Sequence, residues 1–377
     1  MSSALPGQQG DGGRISGGRK LVLCLDGTNN EYAATNTNVV KLYAMVDKSG
    51  TDQLAYYQPG IGTFAPPGVW GKTKRWFVTR LDLAVAWLLE DHVTSAYRYL
   101  MRYYQPGDQI FVFGFSRGAY TARALAAMLH KVGLLTSGNE ELLPFAWDEF
   151  RRLHNDTTAA GFRATFARDV RVHFLGLWDT VSSVGWAWDP RTLPYTMHNP
   201  GVDTVRHAVS LDERRVSFQQ NLWGEPPAPG QTVQQVWFAG VHSDVGGGYV
   251  EMESGLSKIP LGWMMGEAEL AGLRFDPTMT AAILPVRDTE DYVAASVEGV
   301  QHESLRSWWW VPEFIPEKWR DPTDNWKPKW IIHRGRHRLL VGHCLLHESV
   351  VARKSKVPGY DPPNWPPDNE VVRGARC

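Results

Sequence analysis

Ser116 is the residue of this sequence best placed to act as a nucleophile. It lies in a G-x-S-x-G pattern at residues 114–118. This pattern holds a serine on a sharp turn between a strand and a helix, with the hydroxyl exposed. The apolar residues 109–114 predict a buried strand, and the alanine-rich residues 117–130 predict a helix directly after it. The sequence therefore predicts an activated serine at the carboxyl end of a strand.

A serine nucleophile needs a general base, and His242 is the best candidate. It follows the apolar run 236–241, which predicts a strand, and active sites of open α/β sheets lie where strands end. Because triad order in α/β hydrolases is serine, acid, histidine, a base downstream of Ser116 is expected. A competing set lies in a basic segment that predicts surface exposure; its members are His333, His337, His343 and His347.

Asp179 is the candidate for the carboxylate that orients the base. It ends the predicted strand 172–178 and lies between Ser116 and His242 in the chain. Asp244 is the rival, although its position two residues after the histidine favours a role in stabilising a turn.

The oxyanion hole of such a site takes one amide from the residue after the nucleophile, here Arg117. A second amide comes from a loop after an early strand. Residues 20–25 predict that strand, so Gly27 or Thr28 could supply the amide. Asp26 could support the same function or could brace the loop.

Alternating apolar strands and helices predict an α/β fold with a doubly wound, mostly parallel sheet. The chain divides into a disordered tail (1–19), an α/β core (20–275) and an irregular extension packed on the core (276–377), which is rich in tryptophan and proline. The predicted strands are 20–25, 53–57, 109–114, 170–178 and 234–239, and the predicted helices are 38–46, 73–104 and 117–130.

Composition excludes several classes of function. The formal charge of −1 argues against a nucleic-acid-binding domain, which is normally basic. Three widely spaced cysteines indicate neither a disulfide framework nor a zinc site. No amino-terminal signal peptide and no membrane span are recognisable, so a cytoplasmic location is expected, with export by a signal-independent route still open. The chemistry predicted here requires no cofactor.

Five ordered motifs resemble one known family. They are 24–30 (CLDGTNN), 114–123 (GFSRGAYTAR), 177–181 (LWDTV), 211–215 (LDERR) and 237–249 (WFAGVHSDVGGGY). Together they look like the α/β-hydrolase family that contains the type VI secretion phospholipase effectors. The resemblance spans about residues 20–270 and implies an α/β-hydrolase fold and hydrolysis of membrane lipids. It supports Ser116 and His242 directly and Asp179 less firmly.

The resulting hypothesis is a serine hydrolase that cleaves carboxylic esters, with a lipid or phospholipid acyl ester as substrate and peripheral contact with a membrane. The segment around Trp308–Trp310 would form an apolar wall or lid. A second hypothesis is a metal-dependent phosphoesterase, because carboxylates and a histidine follow several strands; these residues are Asp26, Asp179, His242 and Asp244. A third is a non-catalytic binding module.

Overall fold

The computed structural model describes residues 18–27, 35–60, 74–153, 156–181, 193–321 and 327–374. Its first half contains β1 (Lys20–Leu25), α1 (Asn38–Met45), β2 (Gln53–Gln58), α2 (Lys74–Tyr103), β3 (Gln109–Phe115), α3 (Arg117–Val132), β4 (Leu134–Leu135), α4 (Leu143–Arg151), α5 (Asp156–Phe166), β5 (Ala167–Arg168) and β6 (Val172–Trp178). Its second half contains β7 (Val202–Ser210), β8 (Thr232–Phe238), α6 (His242–Gly246), α7 (Gly255–Leu270), α8 (Pro277–Ile283), α9 (Trp310–Glu313), β9 (Glu317–Asp321), β10 (Lys327–Ile331), β11 (Cys344–His347), α10 (Glu348–Lys356) and β12 (Asn369–Val372).

Eight strands form one parallel sheet in the order β12-β11-β8-β7-β6-β3-β1-β2. Parallel strands need long crossover connections; helices supply several of them, and these helices pack on both faces of the sheet. The predicted doubly wound α/β fold is confirmed. Because all eight strands point the same way, every side chain that follows a strand lies at one edge of the sheet.

Hydrophobic cores cover both faces of this sheet. One core packs α2 and α3 against β1, β3 and β6, and the alanines of α3 let its backbone approach closely. The other core packs α1 and α7 against the opposite face. In β1 five of the six residues are buried, which explains its uninterrupted apolar run. Burial on both faces leaves the carboxyl edge of the sheet as the place for polar chemistry.

The region 276–377 is more regular than the irregular extension predicted there. Strand β11 pairs with β8, and β12 pairs with β11, so both complete the central sheet. Each has only four residues, too few to produce a recognisable periodicity. Residues 1–17 of the predicted tail lie outside the described residues, whereas Arg19 forms an ion pair with Asp108 at 2.7 Å.

Candidate active site

Ser116 lies on the turn between β3 and α3 with φ 58° and ψ −121°, a strained conformation for a residue with a side chain. The turn requires its flanking glycines. A Cβ at Gly114 would come within 2.5 Å of the Gly118 carbonyl oxygen, and one at Gly118 would come within 2.2 Å of the Leu25 oxygen. The Ser116 amide donates to the Trp178 carbonyl at 3.0 Å. The Ser116 turn is therefore tied to the end of β6, where Asp179 follows.

His242 and Asp179 meet at the carboxyl edge of the sheet. The His242 Nδ1 lies 2.6 Å from the Asp179 Oδ2, and both side chains are buried. Since an ionised carboxylate only accepts hydrogen bonds, Nδ1 carries the proton and Nε2 is left as an acceptor. This is the tautomer that a general base for a serine hydroxyl needs.

Aromatic rings enclose the His242 imidazole. Its ring centroid lies 4.6 Å from that of Phe115 and 4.8 Å from that of Phe218. Burial lowers the pKa of His242, and its hydrogen bond to Asp179 offsets this only in part. The imidazole is therefore neutral, and able to accept a proton, at a lower pH than an exposed histidine.

Arg338 is the partner of Asp179 that sequence reasoning missed. Its guanidinium reaches Asp179 Oδ1 at 2.5 Å and Oδ2 at 3.0 Å, and it also donates to the Ser210 carbonyl at 3.0 Å. Burial raises the pKa of the Asp179 carboxyl, but Arg338 and His242 outweigh burial and hold this pKa well below its usual range. The expectation that this basic segment lies at the surface is wrong for Arg338, whose side chain is buried, and it is also wrong for the buried His333 and His347.

Glu213, in the LDERR motif after β7, supports the backbone of the same site. Its Oε2 accepts the His242 amide at 3.2 Å and forms an ion pair with Arg215 at 2.9 Å. Its Oε1 accepts the Ser304 hydroxyl at 2.8 Å. Burial raises its pKa, but Arg215 outweighs burial and holds the pKa near 2. The fully buried Glu213 carboxylate thus fixes the position of the His242 backbone at the start of α6.

The predicted oxyanion donors differ in their hydrogen bonding. Arg117 is the first residue of α3, where an amide has no acceptor within the helix. The Gly27 amide donates to Asp26 Oδ1 at 2.7 Å and is therefore occupied. Asp26 also accepts the Thr37 hydroxyl at 2.7 Å, which corresponds to the bracing role. Thr28 lies outside the described residues.

Asp244 is directed away from His242. Its Oδ1 lies 2.6 Å from His302 Nδ1, and its Oδ2 accepts the Val241 amide at 3.0 Å, which closes the turn. Asp26 accepts the Gly27 amide and the Thr37 hydroxyl, whereas Asp179 accepts Arg338 and the Ser210 amide in addition to His242. Among the described residues, no group of three or more histidine, cysteine or acidic side chains could hold a metal ion.

The Trp/Pro-rich segment reaches the histidine through one aromatic ring. Trp309 packs edge-on against Phe218 with centroids 5.7 Å apart, and Arg215 lies over both rings. The Trp308 side chain lies outside the described residues, while Trp310 is 36% exposed. This segment is therefore connected to His242 through Phe218, and its role as an apolar wall or lid stays a prediction. No helix in the described ranges is long and apolar enough to cross a membrane.

Comparison with known proteins identifies the family. Residues 19–267 match the model of the catalytic domain of Tle1-like phospholipase effectors of the type VI secretion system. The chain belongs to this family. The resemblance inferred from the five motifs is confirmed, and the matched region contains Ser116, Asp179 and His242 but ends well before Arg338.

Similar proteins span more than this chain. The uncharacterized protein YEL023C of Saccharomyces cerevisiae is 42% identical over 223 residues, which are 54% of this chain and 33% of the yeast protein. An uncharacterized protein from Pseudomonas aeruginosa is 20% identical over 74% of this chain and 49% of its own, with a TM-score of 0.43. The Tle1 effector bound to the VgrG spike is 19% identical over 64% and 53%, with a TM-score of 0.36. The chain thus spans between a third and about half of these relatives.

Proposed function

We propose that this protein is a serine hydrolase that cleaves acyl esters of lipids. The observation that carries the proposal is the 2.6 Å pairing of His242 with Asp179 at the sheet edge where the strained Ser116 lies. A strained serine turn costs stability, and such strain is found mainly at functional sites. Membership of the phospholipase effector family supports lipid esters as the substrate class.

In this mechanism His242 Nε2 takes the hydroxyl proton of Ser116 as Oγ attacks the ester carbonyl. The tetrahedral oxyanion accepts the Arg117 amide at the amino terminus of α3, where the helix dipole favours negative charge. Collapse expels the alcohol, which takes the proton from His242 and leaves an acyl-serine. Water then repeats the sequence, releases the fatty acid and restores the serine. Asp179 holds the imidazole and stabilises its charged form.

The Arg117 side chain favours a substrate with an anionic group. Its guanidinium is partly buried directly after the nucleophile, and burial lowers its pKa to about 10. No residue in the described ranges gives this side chain a hydrogen bond or an ion pair, although the Arg117 carbonyl accepts the Thr121 hydroxyl at 3.1 Å. An unpaired, desolvated cation gains most from an incoming anion such as a phosphodiester.

The test is labelling of the full chain with a fluorophosphonate, followed by mapping of the adduct. We expect one adduct on Ser116 that is absent in Ser116→Ala and lost in His242→Ala. His347→Ala is the matched control, because His347 is also buried but is hydrogen-bonded to Ser349. A folded protein that forms no Ser116 adduct contradicts the proposal.

A comparison of substrates then tests the lipid class. Vesicles of phosphatidylglycerol, vesicles of phosphatidylcholine and a neutral diacylglycerol emulsion are offered to the wild type and to Arg117→Gln. We expect fatty acid release from the phospholipids to fall more in the variant than release from diacylglycerol. An equal fall for all three would remove the anion-binding role of Arg117 while leaving the ester chemistry intact.

A further inference from the structure

Arg338 is held in place by more contacts than an ordinary ion pair provides. Besides the two bonds to Asp179, it donates to the Ser210 hydroxyl at 2.7 Å and to the Phe218 carbonyl. Phe218 is the ring that packs on His242, so Arg338 contacts both the carboxylate and the aromatic neighbour of the base. The Arg338 side chain is 4% exposed and that of Asp179 is 0% exposed.

The segment that carries Arg338 lies beyond the part of the chain that matches the family's catalytic domain, which ends at residue 267. It is nevertheless attached to the core. The Arg338 carbonyl accepts Asn364 Nδ2 at 3.1 Å, the Leu339 carbonyl accepts Gln220 Nε2 at 3.0 Å, and β11 follows to pair with β8. His242 follows β8, and Arg338 precedes β11. These two residues are thus connected to neighbouring strands of one sheet.

The hydrogen bonds at Asp179 show what this arginine does. Oδ2 accepts both His242 Nδ1 and Arg338, while Oδ1 accepts the Ser210 amide at 2.9 Å and Arg338. A guanidinium fork fixes the plane of a carboxylate, and a fixed plane fixes the direction in which Oδ2 faces the imidazole. Its charge also reduces the negative field of Asp179 at His242.

We propose that Arg338 is a positioning residue of the hydrolase: it holds Asp179 ionised and aligned, and it keeps His242 in its neutral form. This inference rests on the proposed function for its catalytic meaning. The segment after residue 267 is then part of the catalytic unit. Residues 19–267, which match the family model, contain Asp179 but not the arginine that binds it.

Other charged groups also face this pair, and the test must separate Arg338 from them. Glu213 and Arg215 follow β7 and act on His242 with opposite signs. His207, within β7, accepts the Thr180 amide beside Asp179, and Asp244 follows His242 within α6. None of these groups changes in the variants below, so their contributions stay constant.

The experiment measures the acid limb of kcat/KM for a soluble ester in Arg338→Gln, Arg338→Lys and the wild type. Without the cation, the pKa of Asp179 and that of His242 both rise, and each rise moves the acid limb to higher pH. We expect a shift of about one pH unit in Arg338→Gln. Arg338→Lys keeps the charge but loses the fork, so its acid limb should stay near the wild-type position while kcat falls about ten-fold.

Arg353→Gln is the matched control. Arg353 is also a buried arginine of the C-terminal region, but it donates to the Val297 and Gly299 carbonyls and lies over Tyr360. Its loss should lower the free energy of unfolding without moving the acid limb. An acid limb in Arg338→Gln equal to that of the wild type overturns the proposal. If Arg338→Gln does not fold, wild-type kcat in Arg338→Lys overturns it.

Titration of His242 by NMR separates this inference from the proposed function. The His242 signal is assigned by its loss in His242→Ala, and its pKa is read without any turnover. A higher pKa in Arg338→Gln than in the wild type supports the coupling even if no ester is hydrolysed, in which case the proposed function alone fails. An unchanged pKa overturns the coupling whether or not the wild type is active.

Discussion

Replacing Asp179 by asparagine should lower both the turnover of the protein and its free energy of unfolding. Both carboxylate oxygens accept two donors, so an amide NH₂ group in either orientation faces two groups that also donate. With NH₂ at the Oδ2 position, the imidazole must present a bare Nδ1 and carry its proton on Nε2. That tautomer cannot accept the proton of Ser116.

The magnitude follows from these contacts. Loss of the orienting carboxylate of a triad lowers kcat by about 10⁴-fold, since the tautomer and the stabilisation of the imidazolium are both lost. The substitution also leaves the Arg338 guanidinium buried without a carboxylate. Breaking a buried ion pair in this way costs about 3–5 kcal/mol of unfolding free energy.

The assay pairs initial rates on a soluble ester with urea unfolding of the same samples. Asp212→Asn is the matched control. Asp212 is also a buried carboxylate near the end of β7, but it accepts the Gly240 amide at 2.6 Å and the Tyr360 hydroxyl at 3.0 Å, not His242. Burial raises its pKa to about 6, so neutralising it should cost little. A folded Asp179→Asn protein within ten-fold of wild-type kcat would refute the reasoning.

Three further outcomes are expected. Because burial lowers the pKa of His242, activity should be lost only as pH falls below about 6.5, the usual pKa of histidine, and an acid limb of kcat/KM above pH 7 would contradict this. Glu213→Gln should lower the unfolding free energy in urea by about 3 kcal/mol at pH 7, since it leaves the partly buried Arg215 without the fully buried carboxylate that pairs with it. The pKa of Glu213 is lowered by folding, so wild-type stability from this pair should decline as pH falls from about 4.5 to about 2, and Glu213→Gln should not show that decline. Trp309→Ala should raise KM several-fold for long acyl chains and little for short ones, whereas the exposed Trp330→Ala should change neither.

One rule underlies the prediction of the candidate site from the sequence. Ser116, Asp179 and His242 each follow an apolar run, and parallel strands bring their carboxyl ends to one edge. That rule needs no knowledge of side-chain contacts. Chain order and the end of a predicted strand favoured Asp179 over Asp244 as the partner of His242, and in the structure Asp179 Oδ2 lies 2.6 Å from His242 Nδ1.

Strand β7, which the sequence analysis did not predict, shows where periodicity fails. It is a central strand, yet it contains Arg206 and His207, which break the apolar run. Both are satisfied by residues far away in the chain: Arg206 pairs with Glu267 at 2.5 Å, and His207 accepts the Thr180 amide at 3.2 Å. A polar residue can lie in a buried strand when another residue satisfies its hydrogen bonds. The sequence alone does not show which residue that is.

The same reason explains the error at Arg338. Within one short segment the structure exposes Arg334 and Arg336 but buries Arg338, because a carboxylate 159 residues earlier receives it. A cluster of basic residues usually predicts a solvated surface, and here that prediction holds for two of the three arginines. The exception can be recognised only from the position of Asp179.

Assembly of the site and completion of the sheet are therefore coupled. The Ser116 turn depends on contacts within β1, β3 and β6, all of which precede residue 267. Asp179 is different: its charge is balanced only when the segment after residue 327 docks and β11 covers the edge of β8. A chain that folded without this segment would keep the Ser116 turn, but its buried Asp179 carboxylate would have only the Ser210 amide and the neutral His242 beside it. Such a charge is removed by protonation, which would release the imidazole from its catalytic orientation.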